Sequence, residues 1–275
     1  MILLADSGST KTQWALYDGN NWLFKETEGL NPYFVTKEQI TNSLKKNFSA
    51  YQVTKVYFYG SGCNSKDKKD TIAQSFRDSI PSVTQIEVES DLLGAARAVY
   101  GRKSGWIGIL GTGSNVAFYD GNEIIKYRPS LGYILGDEGS GAHLGKVFIK
   151  KLLYNELSLR IESDFFNKYN TSISELLSKI YSQANPNRFL AGFSEFIYDN
   201  KNDFNIKSLI LNCFDKLFKV QVVPFNQQNE PISFVGSIAF YFAEELKESA
   251  INNKISIATV LKSPLEGLVK FHVMA

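Results

Sequence analysis

The chain has 275 residues, of which 44% are hydrophobic and 21% charged, close to the globular average. That composition excludes a disordered, collagen-like or coiled-coil chain, and it leaves enough residues for one large domain or two ordinary ones. Thirty basic against 28 acidic side chains give a net charge of +2, which offers no electrostatic case for nucleic acid or an anionic membrane as partner.

In chain order, Ile2-Leu3-Leu4-Ala5-Asp6 reads as a short strand that ends in the tight turn Asp6-Ser7-Gly8-Ser9. Residues 13–18 and 22–26 flank Gly19-Asn20-Asn21, so three consecutive strands are expected to pair antiparallel. Residues 36–48 read as a capped helix, Val56–Tyr59 as a strand stopped by Gly60-Ser61-Gly62, and residues 67–79 as an amphipathic helix. Ile86-Glu87-Val88 is a strand and Asp91–Tyr100 a helix. Gly101–Gly105 reads as a linker, after which the pattern restarts. Trp106–Leu110 is a strand ending in Gly111-Thr112-Gly113-Ser114, and a hairpin turns at Asp120-Gly121-Asn122. The second part thus repeats the architecture of the first, a strand with a glycine-rich turn and then a hairpin. Residues 138–222 read as mostly helical, with breaks at Asn170 and Asn185-Pro186-Asn187. Ile232–Val235 leads into Gly236-Ser237, Ile255–Leu261 is a strand, and Pro264 opens a closing helix.

Cys63 and Cys213 lie far apart without a zinc-like spacing, and two histidines leave no room for a histidine-rich metal site. The N-terminal apolar run is too short for a signal sequence, and no stretch of eighteen apolar residues occurs, so a cytoplasmic protein in a reducing compartment is expected.

Three strand ends carry small, flexible residues: Asp6–Thr12, Gly111–Asn115 and Gly236-Ser237. Glycine and serine there let the backbone approach an anion, and successive N–H groups and hydroxyls can cradle phosphate oxygens. One such turn is weak evidence; two equivalent turns in two repeated halves can hold one polyphosphate from both sides, although ordinary hairpin turns account for them equally well. Neither a Walker-type nor a dinucleotide-binding glycine pattern is present. Asp6 is placed either to hold Mg²⁺ through its waters or to cap a turn. Asp91, between a strand end and a helix start, is either a helix cap or a base for a substrate hydroxyl. Asp137 sits in Gly136-Asp137-Glu138-Gly139-Ser140-Gly141, where a ligand-binding acid competes with a plain helix cap.

Together these motifs resemble the sugar kinase, heat-shock protein and actin superfamily of ATPases. Within it they are most similar to the N-acetylglucosamine kinase branch grouped with the BadF/BadG/BcrA/BcrD ATPases. The resemblance runs over essentially the whole chain, and Gly111-Thr112-Gly113-Ser114-Asn115 with Gly136–Gly141 is its specific part. Gly29-Leu30-Asn31-Pro32 resembles a sugar-binding segment, Gly60-Ser61-Gly62 a strand end bordering the sugar, and Val235-Gly236-Ser237 the adenosine motif. Ser7 and Ser9 depart from the glycines usual in the first phosphate motif, and the zinc cysteine cluster of the bacterial repressor/kinase relatives is absent.

The resemblance implies an α/β fold of two ribonuclease H-like, actin-like ATPase lobes with a cleft between them. Each lobe is expected to hold a mixed five-stranded sheet flanked by helices. The first is expected over 1–103 and the second over 104–275, with a helical insertion at about 145–225. It implies phosphoryl transfer from ATP, with Mg²⁺, to the 6-hydroxyl of N-acetylglucosamine or a close amino sugar. Asp91 is then the general base and Asp6 positions the hydrated Mg²⁺. Ser7, Gly8, Ser9, Thr10, Lys11, Thr12, Gly111, Thr112, Gly113 and Ser114 bind the ATP phosphates, and Gly236 and Ser237 the adenosine. Asn31, Ser61, Gly62, Asn115 and Asp137 bind the sugar. A homodimer formed through the second lobe, without nucleic-acid or membrane partner, also follows from the resemblance. Glucosamine, N-acetylmuramic acid or N-acetylmannosamine as acceptor is an alternative. So is an ATP-driven activator of an electron-transfer enzyme, which holds an iron–sulfur cluster through paired cysteines.

Overall fold

In the computed structural model, which describes residues 1–225 and 230–274, the chain divides into two compact units. The first comprises Met1–Ser104, Tyr119–Ile124 and Ser263–Ala275; the second comprises Gly105–Phe118 and Ile125–Lys262.

In the first unit the apolar residues of Ile2–Ser7 (β1) alternate between two faces, as a period of two requires. Leu3 and Ala5 enter one buried cluster and Leu4 the other. Lys11–Tyr17 (β2) and Trp22–Glu28 (β3) complete an antiparallel meander, with Asp6 opposite Gln13 and Lys11 opposite Glu28. Lys37–Phe48 (α1) opens with a reciprocal capping box between Thr36 and Gln39, which satisfies two of the otherwise orphaned amides of its first turn. Lys55–Gly60 (β4) pairs parallel with β1, and after Lys66–Ser79 (α2) Gln85–Ser90 (β5) pairs parallel with β4. The sheet order is β3-β2-β1-β4-β5, the mixed sheet expected. Asp91–Tyr100 (α3) follows β5 directly. On one face Ile40, Leu44 and Phe48 of α1 and Ile72 and Phe76 of α2 cover Leu3, Trp14 and Phe58. The other face takes Leu265, Leu268 and Val269 from the end of the chain, against Leu4, Ala15 and Tyr59.

The second unit repeats that plan. Gly105–Leu110 (β6), Ser114–Tyr119 (β7) and Ile124–Tyr127 (β8) are followed, far along the chain, by Ile232–Val235 (β9) and Ile257–Leu261 (β10). The sheet order is β10-β9-β6-β7-β8, with β9 parallel to both β6 and β10. In the equivalence β6 takes the place of β1, and β9 and β10 those of β4 and β5. Between β8 and β9 come Gly132–Leu135 (α4), Gly141–Leu153 (α5), Leu159–Tyr169 (α6), Ile173–Ser182 (α7), Pro186–Gly192 (α8), Ser194–Asp199 (α9) and Phe204–Leu217 (α10). A π-helical turn, Phe218–Val222, closes that run. Left-handed Asn170 and Asn185 mark the two breaks read from the sequence. The helices bury Phe148, Phe165, Phe196, Phe214 and Phe218 in one core with Trp106, Leu110 and Phe234 of the sheet. A Cβ on Gly145 would lie 1.9 Å from the carbonyl oxygen of Leu190, so α5 and α8 touch through their backbones. Ser237–Tyr241 (α11) and Ala243–Asn252 (α12) separate β9 from β10. The chain ends with Leu265–Val269 (α13) and the π-helical turn Lys270–Met274. Among the described residues no helix is long and apolar enough to cross a membrane.

Candidate functional site

The first unit concentrates its chemistry at the carboxyl ends of its parallel strands. Register sets Asp6, Tyr59 and Glu89 side by side across β1, β4 and β5, and then Ser7, Gly60 and Ser90. One residue beyond lies Asp91. The helix cap is Ser90, whose hydroxyl accepts the Leu93 N–H at 3.3 Å. Asp91 therefore occupies the first helical position instead, and its Oδ1 accepts the Leu92 N–H at 2.9 Å. Burial raises its pKa to about 6, partly offset by that N–H. Asp6 is pushed further, to about 7, by burial and then by the like charge of Asp91, with Lys11 opposing. Among the described residues its carboxylate accepts no hydrogen bond.

A desolvated carboxylate without a donor, facing a second carboxylate, fits a hydrated divalent cation, which would lower the pKa of both acids. No group of three or more His, Cys, Asp or Glu among the described residues is placed to hold a metal ion directly. One or two carboxylates acting through water suit Mg²⁺, which keeps most of its hydration shell.

The turn after β1 is braced from within. Thr12 donates to the Glu28 carbonyl at 2.9 Å, so Ser7 donates to Thr12 Oγ1 at 2.8 Å and accepts the Leu30 N–H at 3.1 Å. Both hydroxyls are buried and bonded inside the fold, so this part of the turn has only backbone to offer a phosphate. Gly8 N–H closes the turn on the Lys11 carbonyl. The Lys11 ammonium pairs with Glu26 at 2.7 Å on the surface. Segment 29–31 presses on this turn: a Cβ on Gly29 would stand 2.4 Å from the Gly8 carbonyl oxygen. Asn31 is thereby held with its amide donating to Ser9 Oγ at 3.0 Å and Ser61 Oγ at 3.2 Å, while its carbonyl accepts the Tyr33 N–H. Gly62 closes the cluster. Its φ of 84° is left-handed, and a Cβ there would meet Asn31 Oδ1 at 2.3 Å. The structure thus brings together Asp6, Ser9, Asn31, Ser61, Gly62 and Asp91.

The second unit assembles the other set. Gly111 N–H bonds the Gly113 carbonyl, and Gly141 and Ala142 donate to the carbonyls of Gly111 and Thr112, joining the start of α5 to the turn after β6. Asp137 is left-handed at φ 57° and buried. Its Oδ1 accepts the Ser114 N–H at 3.3 Å, and burial raises its pKa. A non-glycine residue held in that backbone region costs on the order of 1 kcal/mol and points to function. Gly113 lies close to this carboxylate, where a Cβ would approach Asp137 Oδ2 to 3.1 Å. Ser114 Oγ donates to the Glu138 carbonyl at 2.8 Å, and Gln221 of the π-helical turn donates to Glu138 Oε2 at 2.8 Å. Glu138 belongs to the motif Gly136–Gly141, whereas Gln221 does not stand out in sequence; the pairing spans 83 residues and carries no local pattern. Asn115 turns its side-chain oxygen to the Val116 N–H. His143 accepts the Gly139 N–H through Nδ1 at 3.1 Å, a packing role, and burial pushes its pKa down to about 4. At Gly236, φ 127°, a Cβ would stand 2.2 Å from the Leu110 carbonyl oxygen, and Ser237 beside it is exposed.

Thr10 and Thr112 lie in the first and second of these turns, as their positions in sequence require. Cys63 and Cys213 are both buried, and burial pushes each thiol up to about 12.

No family model matches the chain, and no curated protein is similar to it at a significant level. Solved structures are. A protein of Porphyromonas gingivalis provisionally named N-acetylglucosamine kinase is 38% identical, with a TM-score of 0.93 over 99% of this chain and 98% of that one. A second structure of the same provisional name, from Chromobacterium violaceum, is 16% identical with a TM-score of 0.75, covering 98% of each chain. A ROK-family glucokinase from Streptomyces griseus, solved with glucose and AMPPNP, is 15% identical with a TM-score of 0.58, covering 100% of this chain and 98% of that one. The last two show a shared fold.

Proposed function

Because the chain belongs to the N-acetylglucosamine-kinase-like group of the BadF/BadG/BcrA/BcrD ATPases, in the sugar kinase, heat-shock protein and actin superfamily, we propose that it is an ATP-dependent sugar kinase. Its acceptor is the 6-hydroxyl of N-acetylglucosamine or a closely related amino sugar, and its donor is Mg-ATP. The observation that carries this reading is the pair of carboxylates, Asp6 and Asp91, beside a cluster of amide and hydroxyl groups made by Asn31, Ser9 and Ser61.

Phosphoryl transfer asks little covalent chemistry of a protein; positioning and charge stabilisation do most of the work. Asp91 is oriented by the Leu92 N–H on its Oδ1 and accepts the proton of the attacking hydroxyl. Burial raises its pKa, which strengthens it as a base, and the nearby cation would oppose that rise and keep it ionised at neutral pH. Asp6 would hold Mg²⁺ through its water shell, and the ion would supply charge neutralisation for the transferred phosphoryl group. Asn31, Ser61, Gly62, Asn115 and Asp137 fix the sugar. The backbone of Gly8–Thr12 and Gly111–Ser114 serves the phosphates, and Gly236-Ser237 the adenosine. An activator of an electron-transfer enzyme needs accessible thiolates for its cluster, and burial of both cysteines disfavours that reading.

Incubation with Mg-ATP and N-acetylglucosamine, followed by mass spectrometry of the sugar, tests the proposal. A sugar monophosphate is expected. Unmodified sugar across a panel of amino sugars, with ATP consumed, refutes the kinase reading.

A further inference from the structure

The proposed base stands at the first residue of α3, so whatever fixes α3 on the sheet fixes its carboxylate. Two close approaches hold that helix. A Cβ on Gly94 would lie 2.8 Å from the Tyr59 side chain, so α3 rests directly on β4. A Cβ on Gly267 would lie 2.3 Å from the Ala98 carbonyl oxygen, so α13 rests against α3 one turn further along, backbone against backbone. Between these contacts runs a polar chain. Arg97 of α3 forms an ion pair with Glu87 of β5 and donates to the Tyr59 hydroxyl at 2.7 Å. The Tyr59 hydroxyl and His272 Nε2 share a hydrogen bond at 2.7 Å, in which the hydroxyl donates when His272 carries its proton on Nδ1. His272 stacks on Tyr57 at 3.7 Å, and the Arg97 guanidinium lies 5.3 Å over the Phe271 ring. Burial and the nearby Arg97 charge keep His272 neutral, with a pKa of about 4, as an acceptor must be. Tyr59 is 1% exposed, and a buried hydroxyl with both its donor and acceptor roles filled has one orientation.

We propose that Tyr59, Arg97 and His272 are positioning residues through which the C-terminal segment Leu265–Met274 sets the place of α3, and with it the Asp91 carboxylate, for phosphoryl transfer. The inference rests on Asp91 as base. None of the three residues needs to touch substrate; their effect passes through the helix that carries Asp91.

The test compares Tyr59→Phe, His272→Phe and His272→Gln with wild type in the full chain. Two readouts are taken: sugar-dependent kcat and KM, and amide hydrogen exchange. His272→Phe keeps a ring to stack on Tyr57 and loses the acceptor; His272→Gln restores an acceptor. A misplacement of the order of 1 Å costs up to about 100-fold in rate, so a kcat loss of roughly 10- to 100-fold is expected for Tyr59→Phe and His272→Phe. KM should stay within about 2-fold, exchange should rise at the start of α3 (residues 92–95) while α1 and α2 keep their protection, and His272→Gln should recover most of kcat. Unchanged kcat and unchanged exchange at α3 in Tyr59→Phe and His272→Phe overturn the proposal. So does a loss spread evenly over the unit that His272→Gln fails to relieve, which marks a merely structural role. Asp91→Asn run alongside separates the two claims: wild-type turnover in that variant removes the base assignment, whatever exchange shows at α3.

Discussion

Replacing Asp91 by Asn should do two opposite things, and the structure gives the size of one of them. Asn has the same shape and keeps an oxygen for the Leu92 N–H, so the fold loses no contact. Asp91 has a pKa of about 6 in the fold against an ordinary value of 3.8. Below about pH 4 the carboxyl is protonated in both folded and unfolded chains and carries no penalty. As pH rises from there through about 6, the unfolded chain loses its proton first, and stability falls. A shift of about two pH units corresponds to ~3 kcal/mol at most, fully present above about pH 7. The Asn variant escapes that penalty and also relieves the like charge felt by Asp6. In metal-free buffer at about pH 8 the variant should therefore melt higher than wild type by several degrees, at ~2–4 °C per kcal/mol for a chain of this size. The gain should shrink toward zero near pH 4. Turnover should fall by about 10²- to 10⁴-fold or more, with substrate binding retained. Calorimetry of both proteins at several pH values, with EDTA, measures this. Equal melting temperatures at pH 8, or a gain that persists unchanged at pH 4, would refute the argument that the site holds an uncompensated carboxylate.

Three further outcomes are expected. Gly62→Ala forces a Cβ onto Asn31 Oδ1 in a left-handed backbone, so KM for the sugar should rise at least about 10-fold while thermal stabilisation by Mg-ATP is retained; an unchanged sugar KM contradicts the role given to Asn31. Ser7→Ala strips Thr12 and the Leu30 N–H of a buried partner and should cost ~1–3 kcal/mol in urea unfolding; a loss below about 0.5 kcal/mol would show the turn is not braced this way. His143 is 6% exposed and has a pKa pushed down to about 4, so its contribution to stability is full above about pH 6.5 and is lost as pH falls toward 4, at up to ~1.4 kcal/mol per pH unit. Asp6 and Asp91 slope the other way over the same range, so the measurement is the difference between wild type and His143→Gln, which should narrow on acidification; a constant difference excludes a buried neutral histidine.

Much of the fold was legible because the determinants are local. Ser7-Gly8-Ser9 and Gly111-Thr112-Gly113 each end a short apolar strand and are followed by a hairpin, and the second occurrence of that pattern announced the repeated sheet that the strand orders display. Asp6 and Asp91 were legible as candidates because each stands where a strand gives way to a turn or helix, and Asn31 only through the resemblance of Gly29-Leu30-Asn31-Pro32 to a sugar-binding segment. What escaped the sequence depends on tertiary contact. Asp91 looked like a helix cap, yet Ser90 takes that place, a distinction set by one residue of backbone geometry. Ser7 looked like an added hydroxyl for phosphate, yet its donor is directed at Thr12 by the Thr12–Glu28 bond, which no spacing rule reveals. Gln221 reaches Glu138 from a π-helical turn, where helical periodicity fails. The helix Leu265–Val269 packs on Leu4, Ala15 and Tyr59, partners more than two hundred residues upstream, which an apolar stripe alone cannot name.

The central claim is that the protein moves a phosphoryl group from ATP to an amino sugar. Release of ADP from the purified chain with Mg-ATP, across N-acetylglucosamine, glucosamine, N-acetylmannosamine, N-acetylmuramic acid and glucose, tests it most directly. The account predicts strong stimulation by N-acetylglucosamine or one close amino sugar, with phosphate recovered on its 6-hydroxyl and the stimulation abolished in Asp91→Asn. ADP release that no sugar accelerates, or acceleration that survives Asp91→Asn, would contradict it.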